Sequence, residues 1–361
     1  MRALHVSTNR DLGGGERQLL ALVLGSREHG IDARVCVREQ GQLKKLCLHS
    51  GIDTSSLRAR IAYDPFAMRY LTNLARRDEI DIMHLHDGGA ASLGVAAGAW
   101  SKTPVIVHRR IASALRNSWF TKLKYDPKRV ALFIAVSNIV ADVLKNAGIP
   151  TNQIVVIPSG VDIQKLDAIA QREKVNNKSD RLQIGKLQIG TIAKLAPKKG
   201  VDIVLRAFAK IHERVPNTIL TIVGSGPDEE SNRALAAELN INDFVNFAGS
   251  REGAPILATW DLFLFASELE GSPGVVREAM ALRVPIVAVD APGTVEVLGD
   301  CGIVTSRGDA LSLANAAIRL LNNQNERADL AARARARVEH YYSIDSMVEN
   351  TIAAARGVLD R

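Results

Sequence analysis

Short apolar runs rich in β-branched residues alternate along the chain with longer amphipathic stretches. An apolar run of roughly four to eight residues bounded by turn residues marks a buried strand, and a period of about 3.6 marks a helix with one core face. In the first half this pattern predicts strands over Ala3–Ser7, Ala33–Arg38, Ile82–His86, Val105–His108, Leu132–Val136 and Val155–Ile157. Helical patterns between them include Glu16–Glu28, Ala90–Ala99 and Asn138–Ala147. In the second half, strands are predicted over Gln188–Ala193, Ile219–Val223, Val245–Phe247, Leu262–Phe265, Ile286–Val289 and Ile303–Thr305. Helices are predicted there over Val201–Arg214, Glu229–Leu239, Val275–Leu282 and Leu311–Asn322. Such alternation implies an α/β fold with parallel, doubly wound sheets.

The polar stretch Gln164–Lys186, containing Asn176-Asn-Lys-Ser-Asp180, reads as a linker. The expected organisation is a Rossmann-like domain over 1–165, a linker over 166–186, a second Rossmann-like domain over 187–340, and a helix over 341–361 crossing back to the first. With 361 residues, 47% of them hydrophobic, the chain can supply two cores. Ligands of such sheets bind beyond the carboxyl ends of the strands, so the expected site is a cleft between two facing domains.

Charge sharpens this picture. Residues 1–166 carry 23 Lys+Arg against 14 Asp+Glu, a balance of +9, while the remainder carries 23 against 25, a balance of −2. The basic first half fits an anionic partner such as a membrane surface or a phosphorylated acceptor. Nucleic acid is not expected, because aromatics are only 4% and no helix-turn-helix, zinc-finger or aromatic-basic sheet signature is present. No apolar run reaches the roughly 20 residues of a membrane span, and the N-terminus lacks a secretory signal pattern. Three scattered cysteines, Cys36, Cys47 and Cys301, form no metal spacing. A cytoplasmic protein, peripheral at most to the inner face of a membrane, is the expectation.

The strongest chemical motif is Glu270-Gly-Ser272-Pro-Gly274-Val275-Val-Arg-Glu278, between a buried strand and a helix. A Gly/Ser loop entering a helix presents free N–H groups, and the helix dipole makes it an anion site. Pro273 has no N–H, so Gly274 and Val275 are the expected phosphate donors. Glu270 would repel a phosphate and is expected to meet sugar hydroxyls, with Glu278 on the hydroxyls of a ribose. The alternative is a solvated loop acid and a surface helix acid. A second motif, Lys194-Leu-Ala-Pro-Lys198-Lys199-Gly200, places Lys194 and Lys199 around a turn after a strand, suited to a diphosphate that gains charge as it leaves. A solvated basic turn is the alternative. These lysines are expected across the cleft from the glutamates.

A third motif, Gly13-Gly14-Gly15-Glu16, follows the first strand but is not the dinucleotide fingerprint. His84 and His86, with Asp87 behind them, share a strand face, yet no third metal ligand has convincing spacing. His108 ends another strand before Arg109-Arg110. The segment Ser113–Val130 interleaves Trp119, Phe120 and Tyr125 with Arg116, Lys122, Lys124, Lys128 and Arg129, which suits a membrane interface or a packed surface helix.

With these residues in place, the chain resembles a GT-B glycosyltransferase of family GT4 over nearly its full length. The resemblance rests on Gly-Gly-Gly-Glu16, Ile157-Pro-Ser-Gly-Val-Asp162, the Lys194–Gly200 turn, Ile222-Val-Gly224-Ser-Gly-Pro227 and Glu270–Glu278, in family order. It implies a retaining hexosyltransferase using a nucleotide-sugar donor, UDP- or GDP-linked, with no essential metal or other cofactor. The basic first domain favours a glycan or lipid-linked acceptor hydroxyl, in cell-surface glycan or lipopolysaccharide synthesis, held mainly by that domain. By resemblance, Glu270 contacts the donor sugar, Glu278 the ribose and Lys199 the diphosphate. Lys194 stands where the family usually has arginine, so the cation is kept and the bidentate fork is lost. Gly14 and Gly15 resemble the glycines near the distal phosphate, Gly224 belongs to a donor-site loop, and His108 resembles the histidine facing the sugar. The rival expectations are a GT-B sugar-nucleotide epimerase and a non-catalytic nucleotide-sugar-binding protein.

Overall fold

The structure is a computed structural model that describes residues 1–59, 61–115, 118–176 and 185–361. The chain forms two compact units, Met1–Gly160 with Ile344–Arg361, and Val161–Ser343.

In the first unit seven parallel strands form one sheet: β1 Arg2–Ser7, β2 Asp32–Arg38, β3 Thr54–Leu57, β4 Ile82–Leu85, β5 Val105–Arg109, β6 Leu132–Ala135 and β7 Ile154–Val156, in the order β3-β2-β1-β4-β5-β6-β7. Side chains alternate between the faces. Leu4 and Val6 enter a core shared with the helices Pro65–Arg77, Gly88–Ser101 and Asn138–Asn146. Ala3, Ile82, Ile106 and Ile134 face the other way, against the helices Gly14–Glu28 and Ile344–Leu359. Burial on both faces is why these strands read as continuous apolar runs. The helix Ile344–Leu359 contributes Met347, Val348, Ile352 and Ala355 to this core, and a Cβ on Gly25 would lie 2.6 Å from a Val348 methyl.

In the second unit six parallel strands run β8 Leu187–Ile192, β9 Thr218–Val223, β10 Val245–Gly249, β11 Leu262–Phe265, β12 Ile286–Val289 and β13 Ile303–Thr305, in the order β10-β9-β8-β11-β12-β13. Leu220, Ile222, Leu262 and Leu264 pack with the helices Val201–Arg214 and Ala310–Asn322 on one face. Phe263, Phe265, Ile286 and Ala288 pack with Gly274–Ala281 and Gln324–Tyr341 on the other.

All twelve predicted strands are present, with ends shifted by a residue or two. The pattern misses β3, a polar Thr-Ser-Ser-Leu strand at the sheet edge. The units divide at Gly160/Val161 and Ser343/Ile344, where the sequence suggests 165/166 and 340/341. The stretch expected to be a linker begins instead as a helix, Ile163–Asn176, because Leu166 and Ile169 are buried in the second unit's core. The rest of that linker motif, 177–180, and Arg116 lie outside the described residues. Among the described residues no helix is long and apolar enough to cross a membrane, and the three cysteines are free and buried.

Candidate functional site

At the carboxyl ends of the second unit's strands lies a pocket of about 560 Å³. Lys194, Lys199, Gly224, Glu270, Gly274 and Val275 line it. Four loops converge there, those after β8, β9, β10 and β11, held by backbone hydrogen bonds. Leu195 N–H donates to Ser225 O at 3.0 Å, Gly224 N–H to Gly249 O at 2.9 Å, and Glu268 N–H to Lys198 O at 2.9 Å. Two glycines make this convergence sterically possible. Gly224 has φ +140 and a Cβ there would stand 1.9 Å from Ala193 O. Gly200 has φ +67 and a Cβ would stand 2.2 Å from Ala266 O. Only glycine tolerates both the dihedral and the approach.

Contrary to the expectation from the sequence, the lysines do not sit across a cleft from the glutamate; they belong to the same unit and line the same pocket. Lys199 Nζ pairs with Glu270 Oε1 at 2.7 Å, and Ser267 Oγ donates to the same oxygen at 2.7 Å. The turn before the helix Val201–Arg214 and the loop after β11 emerge from adjacent regions of the sheet, since β8 and β11 are hydrogen-bonded neighbours. Both partners are partly buried, at 33% and 20% side-chain exposure, so solvent screens the pair less than a surface bridge. Lys194 is exposed and makes no ion pair among the described residues.

The helix Gly274–Ala281 begins with Pro273 in extended backbone and no side-chain cap. Its first N–H groups are therefore available to an anion at the mouth of the pocket. Ser272 is held from behind: Arg277 Nη1 donates to Ser272 O at 3.1 Å and to Ser272 Oγ. Glu278 is half-buried on the same helix. The pocket also includes Ser225, from the Ile222–Pro227 motif, and Ser250 and Arg251, which no motif reveals. The last two follow β10, whose pairing with β9 slips between Phe247 and Gly249. Nothing in Ser250-Arg251 by itself signals a site; only the strand order brings that loop beside Gly224.

Gly14, Gly15 and His108 lie in the first unit and are not part of this pocket. The helix Gly14–Glu28 opens with Glu16 turned back on itself: Glu16 accepts from Gly13 N–H at 2.8 Å and is 6% exposed. His108 belongs to a larger group. His5, His84, His86 and His108 project from one face of β1, β4 and β5, because the registers His5↔His84 and Leu85↔Val107 align them. His5 Nδ1 lies 3.0 Å from His86 Nε2, and His84 Nδ1 lies 3.0 Å from His108 Nε2. Arg110 donates to His86 O at 3.0 Å and lies 3.2 Å from His86 Nδ1. Arginine can only donate, so Nδ1 of His86 accepts and its Nε2 carries the proton, which it gives to His5 Nδ1. Burial pushes all four imidazoles below their usual range, His84 to about 4, so the group is neutral at pH 7. Burial also lowers Arg110 to about 10, with Glu16 and Asp87 opposing, so it stays charged. Among the described residues no group of three or more His, Cys, Asp or Glu is arranged to hold a metal ion.

Comparison with known proteins agrees with this architecture. The family profile "Glycosyl transferases group 1" matches residues 172–337 and "Glycosyltransferase Family 4" matches residues 12–165. An N-acetyl-alpha-D-glucosaminyl L-malate synthase of Bacillus anthracis is 30% identical over 304 residues, covering 79% of this chain and 77% of that protein. A phosphatidyl-myo-inositol mannosyltransferase of Mycolicibacterium smegmatis is 29% identical, covering 78% and 73%. The crystal structure of Anabaena HepE in complex with UDP superposes with a TM-score of 0.86 at 20% identity, covering 99% of this chain and 100% of that one. Two parallel α/β units, both family profiles in sequence order and a relative matched over most of its length lead to one assignment: the chain belongs to glycosyltransferase family 4, with the GT-B fold, and is a glycosyltransferase.

Proposed function

We propose that the enzyme moves a sugar from a UDP- or GDP-linked donor to a hydroxyl of a glycan or lipid-linked acceptor, with retention at the anomeric carbon, in cell-surface glycan synthesis of the lipopolysaccharide type. The observation that carries this reading is the pocket of the second unit, where two lysines, an uncapped helix start and a carboxylate converge. The neighbour complexed with UDP and the relative named as a phosphatidyl-myo-inositol mannosyltransferase support the donor and acceptor classes.

In this reading the diphosphate lies on the N–H groups of Gly274 and Val275, with Ser272 and Gly224 beside it. Glu270 accepts from the donor sugar's hydroxyls and Glu278 from the ribose. Lys199, already paired with Glu270, bridges that carboxylate and the phosphates. As the bond from C1 to the phosphate oxygen breaks, negative charge grows on the diphosphate, and Lys199, Lys194 and the loop amides stabilise it. The acceptor oxygen bonds to C1 on the same face, and its proton passes to the leaving phosphate oxygen. No protein nucleophile is assigned. The roles of Gly14 and Gly15 toward the distal phosphate and of His108 toward the sugar are carried by the family resemblance alone. Positive charge comes from side chains and amides, so no metal or other cofactor is required.

The test is a panel of nucleotide sugars with lipid-linked and free glycan acceptors, scored for release of nucleoside diphosphate with and without EDTA. Consumption of a UDP- or GDP-sugar, unchanged by EDTA and giving a retained anomer by NMR, supports the reading. Inverted product, or loss of activity in EDTA that added metal restores, contradicts the corresponding step.

A further inference from the structure

Arg277 is the one charged residue of the Glu270–Glu278 segment for which the proposed function has no use, and its surroundings are unusual. It sits on the inward face of the helix Gly274–Ala281 and is 3% exposed. Burial lowers its pKa to about 10, with Tyr342 and Glu278 opposing, so the guanidinium remains charged at neutral pH. It makes no ion pair among the described residues. A buried arginine normally sits against a carboxylate, because an unpaired buried charge is costly. Here Nη1 serves Ser272 O and Ser272 Oγ, the guanidinium lies 6.0 Å over the Tyr342 ring, and Nε is buried with no partner. Nη2 has no hydrogen-bond partner among the described residues and lies 3.8 Å from where a Cβ on Gly274 would stand.

Three facts therefore coincide: a buried cation with no carboxylate in salt-bridge contact among the described residues, a buried Nε with no hydrogen-bond partner, and a position directly behind a loop whose other side lines the pocket. A residue that served packing alone would be replaced at less cost by an apolar side chain. We propose that Arg277 is a positioning residue for the donor loop. It fixes Ser272 and Gly274 so that the loop amides converge on the diphosphate, and its charge adds to the positive potential there. The ligand it acts on is a diphosphate, not a base or a sugar. This inference rests on the proposed function of the same pocket.

Arg277→Lys keeps the charge and loses the fork; Arg277→Met removes both. Each variant is compared with wild type by titration with the nucleoside diphosphate that wild type binds best among UDP, GDP and ADP, and with the matching monophosphate. Donor KM and kcat are measured alongside. Loss of a charge-assisted contact to the loop weakens diphosphate binding by about tenfold or more in Arg277→Met, less in Arg277→Lys, and raises donor KM accordingly. Monophosphate binding weakens less than diphosphate binding, since the loop amides are proposed to hold both phosphates and the monophosphate presents only one. A purely structural role would lower the melting temperature while leaving folded protein with wild-type diphosphate affinity, or would weaken both nucleotides equally; either result overturns the inference. Should Arg277→Met not fold, Arg277→Lys decides by the same comparison. Wild type that binds no nucleoside diphosphate would instead remove the donor-site reading, and the two failures are told apart by the wild-type titration.

Discussion

Lys199 and Glu270 stand 71 positions apart in the chain and 2.7 Å apart in the fold. Each motif is legible in the sequence as a charged turn after a strand, but their pairing is not, because it depends on β8 and β11 being neighbours. In the proposed reading, removing Lys199 takes a cation from the leaving diphosphate and leaves Glu270 without its partner. Lys199→Ala is expected to lower kcat by roughly 10² to 10³-fold with correct substrates, measured by nucleoside diphosphate release. The buried histidines give a second residue-scale prediction. Their folded pKa values lie below the model-peptide value of 6.5, so between pH 6.5 and about 4 the unfolded chain binds more protons than the folded one. Stability is therefore fully present above pH 6.5 and falls as pH falls. For His84 alone the loss by pH 4 is on the order of 3 kcal/mol. Urea unfolding from pH 7 to 4 should show this decline, and His84→Leu should lessen it. Only His84 and His86 announce this group in the sequence; His5 and His108 join through strand register, which no local spacing encodes.

Two elements carry consequences of their own. The helix Ile344–Leu359 is far from the first unit's strands in sequence, yet Ile352 is 6% exposed in that unit's core. Ile352→Ala should destabilise the first unit by about 2–5 kcal/mol, read by urea denaturation. The segment expected at a membrane interface divides into two parts. Tyr125 is buried, its hydroxyl 3.0 Å from Arg109 Nη1, and so belongs to packing. Trp119 and Phe120 are 66% and 47% exposed and stack on each other at 4.2 Å, Phe120 also stands beside Tyr63, and Lys122 is exposed on the same helix. Exposed aromatics with cations favour an anionic bilayer surface. Sedimentation with phosphatidylglycerol vesicles at low salt should recruit the protein, and Trp119→Ser with Phe120→Ser should lower recruitment. Equal sedimentation of both proteins would remove the aromatic contribution. Periodicity could not separate the two parts, because both read as aromatic residues among cations.

At the scale of the whole molecule, strand order distinguishes what the sequence discloses from what it conceals. Parallel strands buried on both faces leave apolar runs that are easily recognised, and a strand–turn–helix junction with glycine marks an anion site wherever it occurs. Hence Lys194–Gly200 and Glu270–Glu278 stand out in the sequence. Ser250 and Arg251 do not, since their place depends on which loop lies beside which. The division of the chain follows the same logic: Leu166 and Ile169 are core residues whose polar neighbours disguise them as linker. The central claim is that the second unit's pocket holds a nucleotide diphosphate donor through Lys199. It is tested most directly by a thermal-shift screen of UDP-, GDP-, ADP- and CMP-sugars on wild type and Lys199→Ala. A ligand at about 100 times its Kd stabilises by about 2.7 kcal/mol, enough for a clear rise in melting temperature. The account predicts such a rise with a UDP- or GDP-sugar in wild type and a much smaller one in the folded variant. A wild type indifferent to all four, or a variant that responds equally, would contradict it.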